Sequence, residues 1–260
     1  MKRLFGSFKG KLYTLFALIL LIPVISVGSL SYLSAKNSIK EEILFSANES
    51  VNILNTLIDK TISEKENDIN VFSEEIDSSM YDQQGSAVHT KFQQYIKLHP
   101  DVLSIYIGTN EGSLFLEPKS NSADYNLLER DWYKKATALK GEVLITKPYI
   151  DAGTGDMVVT IARQVKDKSA VVAIDIKLTN LQKISNSINI GKNGYSSIFD
   201  EDKLVISHPT IEPGSEIKES FMDKMYDSKS GTYDYVFDGD DRILFFTTNE
   251  LTNWKITGTI

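Results

Sequence analysis

Residues 12–33 carry no charged side chain. At a rise of 1.5 Å per residue, 22 residues in a helix cover about 33 Å, and a bilayer core is about 30 Å thick. Pro23 and Gly28 lie inside the run, which membrane helices tolerate. Lys2, Arg3, Lys9 and Lys11 precede it, so the positive-inside rule places residues 1–11 in the cytoplasm and the rest outside. A cleaved signal peptide has a shorter apolar core, about 7–15 residues, and ends in small residues. Tyr32-Leu33-Ser34-Ala35 is a poor cleavage site, so an uncleaved transmembrane helix over 12–33 is expected, in contact with membrane lipid.

The next segment is as constraining. Residues 34–80 contain no proline and no glycine. Ile39, Ile43, Ala47, Val51, Leu54, Ile58 and Ile62 recur at spacings of three and four, and Ile69, Phe72 and Ile76 resume the stripe after a polar stutter at Lys65. That pattern predicts one amphipathic stalk helix, too long for an ordinary globular helix. Its stripe must pack on a following domain, on a partner helix, or on both, and a homodimer through the stalk is expected.

From Val102 the pattern turns to strands. Val102–Ile107, Ser113–Leu116, Val143–Ile150, Met157–Val165 and Ala170–Ile176 read as one set, with short helices over Asp131–Leu139 and Leu178–Ile188. Tyr195–Phe199, Leu204–Ser207, Thr232–Phe237, Ile243–Thr248 and Trp254–Ile260 read as a second set, with turns at Asn193-Gly194 and Asp238-Gly239-Asp240-Asp241. The expected class is α+β, two antiparallel-sheet modules beside one long helix. The boundaries expected are 34–80 for the stalk, 81–188 for a first module and 189–260 for a second.

Charge and composition exclude several functions. Removing the four N-terminal basic residues from a net charge of −7 leaves −11 over residues 12–260, which argues against nucleic acid as a partner. The chain has no cysteine, hence no disulfide framework and no thiolate chemistry. His89, His99 and His208 lack metal-ligand spacing, and His208 before Pro209 reads as a loop residue. Asp200 and Asp202 read as an acidic turn, and the 238–241 turn lacks the placements of an EF-hand loop. No nucleophile elbow, phosphate loop or zinc-protease motif occurs, so the chain is not expected to be an enzyme and no cofactor is implied.

One cluster carries recognition chemistry. Tyr125, Arg130, Trp132 and Tyr133 fall within nine residues; Tyr149 and Asp151 are separated by one residue, and Asp175 interrupts the apolar run Val171–Ile176. Arginine and the indole N–H only donate, and ionised aspartate only accepts. A site built from both suits a small molecule with a carboxylate at one end and an ammonium at the other, which describes a free amino acid. Arg130 offers a planar fork to a carboxylate, with Trp132 as a further donor. Asp151 and Asp175 suit the ammonium, and which end each tyrosine serves is open. Singly, each residue has an ordinary structural role: Arg130 can pair with Glu129 or Asp131, Trp132 and Tyr133 can be core aromatics, Tyr149 a strand former and Asp151 a turn residue.

The order of parts resembles the double Cache sensor region of bacterial methyl-accepting chemotaxis receptors. The quoted spacing is similar to the amino-acid-binding subset: a tyrosine five before an arginine, tryptophan and tyrosine two and three after it, a tyrosine and an aspartate one apart, then an aspartate on a strand. That resemblance implies two PAS-like modules, 81–188 distal to the membrane and 189–260 proximal to it, ligand binding in the distal one by Tyr125, Arg130, Trp132, Tyr133, Tyr149, Asp151 and Asp175, and, in an intact receptor, control of a cytoplasmic chemotaxis kinase complex. The same extracellular architecture also fronts sensor histidine kinases and cyclic-nucleotide enzymes, and other Cache domains take ligands that are not amino acids. The sequence stops at Ile260 inside the last expected strand, so a chain truncated after the sensor is expected.

Overall fold

The computed structural model describes residues 8–81, 86–119, 126–191, 194–237 and 239–260. The chain divides into two compact units, Met1–Ser46 and Ala47–Ile260. Helix α1 spans Phe8–Glu75, so the expected anchor and stalk form one helix. Among the described residues it is the one helix long and apolar enough to cross a membrane. Leu12, Phe16, Ile19 and Leu30 are all more than half exposed.

In the second unit, Ala47, Val51, Leu54, Ile58, Ile62, Lys65, Ile69 and Ser73 form the buried stripe of α1. Lys65 is therefore not a stutter. It occupies the stripe, its ammonium 3.1 Å from an Asp101 carboxylate oxygen and 2.8 Å from His99 Nδ1. A buried ammonium needs such partners, because desolvating it alone would cost several kcal/mol. The helical turns stop at Glu75 rather than at residue 80. Asp77 is extended, and its carboxylate accepts from Ser79 N to start a short 3-10 turn, Ser78–Met80.

Helix α2 (Ser86–Leu98) is absent from the sequence reading, although Val88, Phe92 and Tyr95 mark its buried face. The first sheet comprises β1 (Val102–Thr109), β2 (Leu114–Glu117), β3 (Leu144–Ile145), β4 (Tyr149–Ile150), β5 (Met157–Gln164) and β6 (Ala170–Lys177). Its order is β2-β1-β6-β5-β3, with β4 also on β5. The run expected as one strand over Val143–Ile150 is two short strands, interrupted by Thr146–Pro148. Proline cannot donate to a sheet ladder. Helix α3 (Asp131–Ala138) lies on one face of this sheet, packing Trp132, Tyr133 and Ala136 with Tyr106, Ala162 and Ala173. The opposite face carries Ile105, Ile107, Ile161 and Ile174 and meets α1, where Arg163 Nη1 donates to Ser73 Oγ at 2.9 Å. Cover on both sides explains why β1 and β6 read as continuous apolar runs.

Helix α4 (Leu178–Asn186) leads to the second sheet: β7 (Tyr195–Phe199), β8 (Val205–Ser207), β9 (Ser230–Phe237), β10 (Asp240–Thr248) and β11 (Lys255–Thr259), in the order β8-β7-β11-β10-β9. A short helix, α5 (Phe221–Tyr226), not anticipated from the sequence, covers one face with Met222 and Met225. β9 and β10 pair as a hairpin with Phe237 opposite Asp240; Asp238 lies outside the described residues. Asn193 also lies outside them. Asp200 is a turn residue as read, accepting from Asp202 N and Leu204 N, but it is buried. His208 follows β8 in a loop and is buried as well. This sheet also meets α1: Asn249 Nδ2 donates to Asn55 Oδ1 and Asp59 Oδ1, both at 2.9 Å.

Candidate functional site

Strand alternation decides the site. Ser104 and Tyr106 on β1, Asp175 and Ala173 on β6, and Thr160 and Ala162 on β5 pair across the sheet and share its α3 face. Successive side chains point to opposite faces. Asp175 therefore faces away from Ile174 and Ile176, into the side that α3 covers.

Asp175 is 1% exposed. Its Oδ1 accepts from Thr160 Oγ1 at 2.6 Å and Tyr106 OH at 2.8 Å, and its Oδ2 accepts from Ser104 Oγ at 3.0 Å. Among the described residues no lysine or arginine forms an ion pair with it. Burial pushes its carboxyl up to about 6; the hydroxyl bonds from Thr160, Tyr106 and Ser104 work against that rise, and the nearby Asp151 charge adds to it. Three neutral donors hold an ionised carboxylate less well than a cation would. The site is thus set to gain from an arriving positive charge.

The remaining expected residues divide around the strip 149–154. Asp151 and Asp175 line a cavity of about 140 Å³, with Ser104 and Tyr106. Arg130, Trp132 and Tyr149 line an adjoining cleft of about 880 Å³ on the other side of that strip. Tyr149 ties the two together, because its hydroxyl is 2.6 Å from Thr160 Oγ1, which bonds Asp175. Asp151 Oδ2 accepts from Gly153 N, Thr154 N and Thr154 Oγ1, which folds 151–154 into a tight turn. Arg130 is the residue that precedes α3, in an extended conformation. The first turn of a helix presents unpaired N–H groups and a partial positive charge, which favour a carboxylate nearby.

Trp132 is buried against Tyr106, with ring centroids 4.9 Å apart at 75°. Tyr133 packs edge-on against Trp132, and its hydroxyl donates to Asn110 Oδ1 at 2.9 Å. Burial pushes the pKa of that hydroxyl above its ordinary value, so it stays protonated. Tyr133 lines neither cavity. Tyr125 lies outside the described residues. The sequence reading missed Ser104, Tyr106 and Thr160. Two hydroxyl residues spaced by two in the apolar strand Val102–Thr109 were the available signal for the first pair.

The Cache domain family model matches residues 31–260. The chain is 43% identical over 98% of its length to the methyl-accepting chemotaxis protein McpA of Bacillus subtilis. It is 42% identical over 97% of its length to a probable methyl-accepting chemotaxis protein of Bacillus thuringiensis. It spans 39% of the length of each of these two curated relatives. Its fold matches the ligand-binding domain of the Pseudomonas fluorescens chemoreceptor CtaA, solved with L-isoleucine, at a TM-score of 0.70 and 24% identity, over 87% of this chain and 95% of that one.

Proposed function

The chain belongs to the Cache domain family, and from that premise we propose that it is the extracellular sensing part of a chemotaxis receptor whose membrane-distal module binds L-amino acids. The observation that carries this reading is Asp175, a buried carboxylate held by three hydroxyls beside a cavity and without a cationic partner among the described residues. Asp175 and Asp151 take the ammonium. Arg130 and Trp132 take the carboxylate, helped by the start of α3. Tyr149 positions Thr160 against Asp175, and Tyr125 and Tyr133 complete the constellation that the family spacing suggests. Each charge-assisted bond contributes roughly 1.5–3 kcal/mol, and micromolar affinity corresponds to about 8 kcal/mol. Three or four such bonds suffice, less the cost of immobilising the ligand.

The apolar span of α1 anchors the chain in the cell membrane, with residues 1–11 cytoplasmic and the modules 81–188 and 189–260 outside. Ile39, Ile43 and Phe45 are exposed on α1 and supply a surface for a second copy. In a longer receptor the output is control of a cytoplasmic chemotaxis kinase complex. The chain in a lipid nanodisc, titrated calorimetrically with the twenty amino acids, tests the reading. Several should bind, and their deaminated and decarboxylated analogues should not. Equal binding of both analogue series would refute a site that reads two charges.

A further inference from the structure

We propose that the cavity beside Asp175 selects L-amino acids with an aliphatic side chain of three or four carbons. This deepens, and rests on, the amino-acid reading above.

The cavity lining is of two kinds. Asp151, Asp175, Ser104, Tyr106 and Thr154 supply oxygen. Leu103, Leu114, Leu116 and Pro118 supply hydrocarbon. The backbone explains how so much leucine reaches the polar face. In β2, Leu116 pairs with Tyr106 and Leu114 with Gly108, so both leucines share the face that holds Asp175. Gly108 lets Leu127 pack directly onto that face: a Cβ there would stand 2.6 Å from Leu127 Cδ1. Leu103 precedes Ser104 and would ordinarily face away. The pairing of β1 with β6 is irregular between Val102 and Ser104, and a bulge re-aims a side chain in this way. Leu103 and Ser104 thus line one cavity.

With the ammonium at Asp175, the substituent on the ligand's α-carbon meets the leucines. A charged or amide side chain against those leucines and Pro118 would lose its water and meet hydrocarbon in return. Lys119 stands at the mouth but is exposed, so its charge stays hydrated. The size of the cavity sets the upper limit. A volume of about 140 Å³ is close to the roughly 150 Å³ that accepts one benzene-sized molecule. A branched four-carbon group fits and an indole does not. Each added methylene that is buried multiplies affinity about fourfold.

Calorimetry on the full chain in nanodiscs, with the twenty amino acids, tests this. Leucine, isoleucine and valine should bind at least tenfold more tightly than alanine, and aspartate, lysine and tryptophan more weakly than alanine. Leu103→Ser and, separately, Leu116→Ala should each reduce the leucine-to-alanine affinity ratio severalfold, with thermal unfolding reporting that each variant is folded. Tightest binding by a charged or amide side chain overturns the inference and leaves the amino-acid reading standing. So does an equal loss for leucine and alanine in both variants. Binding by none of the twenty overturns the amino-acid reading, and the inference falls with it.

Discussion

Asp175→Asn separates the cost of the site from its use. The carboxyl sits at about 6 in the folded chain, against an ordinary value of 3.8. The native state therefore holds a proton that the unfolded state has released between pH 4 and pH 6. The sign follows from linkage: a group whose folded value is raised contributes stability that is fully present below the unfolded value and lost as pH rises through the folded one. At 1.36 kcal/mol per pH unit, ionising Asp175 in the unliganded protein costs about 3 kcal/mol by neutral pH. For a chain of this size that is roughly 6–12 °C in melting temperature. Asparagine keeps the shape and an acceptor oxygen, and the neighbouring hydroxyls can rotate to accept from its amide. The variant should lack the fall in stability between pH 4 and 6, and at pH 7.5 it should melt at or above the wild-type temperature. Its affinity for amino acids should drop at least tenfold, since a charge-assisted bond to the ammonium is gone. Differential scanning fluorimetry from pH 4 to 8, without and with ligand, reads both effects. A variant that melts well below wild type at pH 7.5 and still binds with unchanged affinity would refute the reasoning, because Asp175 would then be structural.

Arg130→Lys should weaken binding about tenfold or more, because a lysine ammonium cannot offer the two parallel donors that a carboxylate takes from arginine; an unchanged dissociation constant would remove Arg130 from the site. Gly258→Ala should cost about 1–3 kcal/mol in chemical denaturation, because its Cβ would stand 2.7 Å from Val51 Cγ2 and 3.2 Å from Ile190 Cδ1 in a packed core. Val51→Ala in the same chain should recover part of that loss, and no recovery would mean that α1 does not limit the space at Gly258.

The parts of this molecule that were legible in the sequence are those written in local period. The α1 stripe from Ala47 to Ile62 shows because three- and four-residue spacing needs no knowledge of the partner. Lys65 misleads because a lone cation reads as a break, and its partners Asp101 and His99 lie more than thirty residues away. α2 passes unnoticed although Val88, Phe92 and Tyr95 have helical spacing, since three apolar positions between polar residues give a weak signal. In the site, Asp175 is conspicuous because an acid in Val171–Ile176 violates the local pattern. Its donors are not. Ser104, Tyr106 and Thr160 are ordinary strand residues until the pairings Ser104 with Asp175 and Thr160 with Asp175 bring them together. Register between distant strands is a property of the assembled sheet, so the residues that tune Asp175 are invisible where Asp175 itself is plain.

The same register links recognition to the long helix. β5 carries Thr160 on the α3 face, bonded to Asp175, and Arg163 on the opposite face, bonded to Ser73 of α1. Three residues further, Lys166 N donates to the Ser73 carbonyl. Strands are stiff over such distances because neighbouring ladders on β6 fix them residue by residue. A displacement of β5 that improves the hold on a bound ammonium is therefore also a displacement at Ser73. The second sheet grips α1 lower down, where Gly258 abuts Val51 and Asn249 bonds Asn55 and Asp59. α1 is thus held by two sheets at separate heights, with the proposed ligand cavity on only one of them. A ligand can bias that arrangement only by the difference in its affinity for two positions of β5. On the proposed function, an arriving ammonium would supply such a difference, because burial disfavours the Asp175 carboxylate and no lysine or arginine among the described residues forms an ion pair with it.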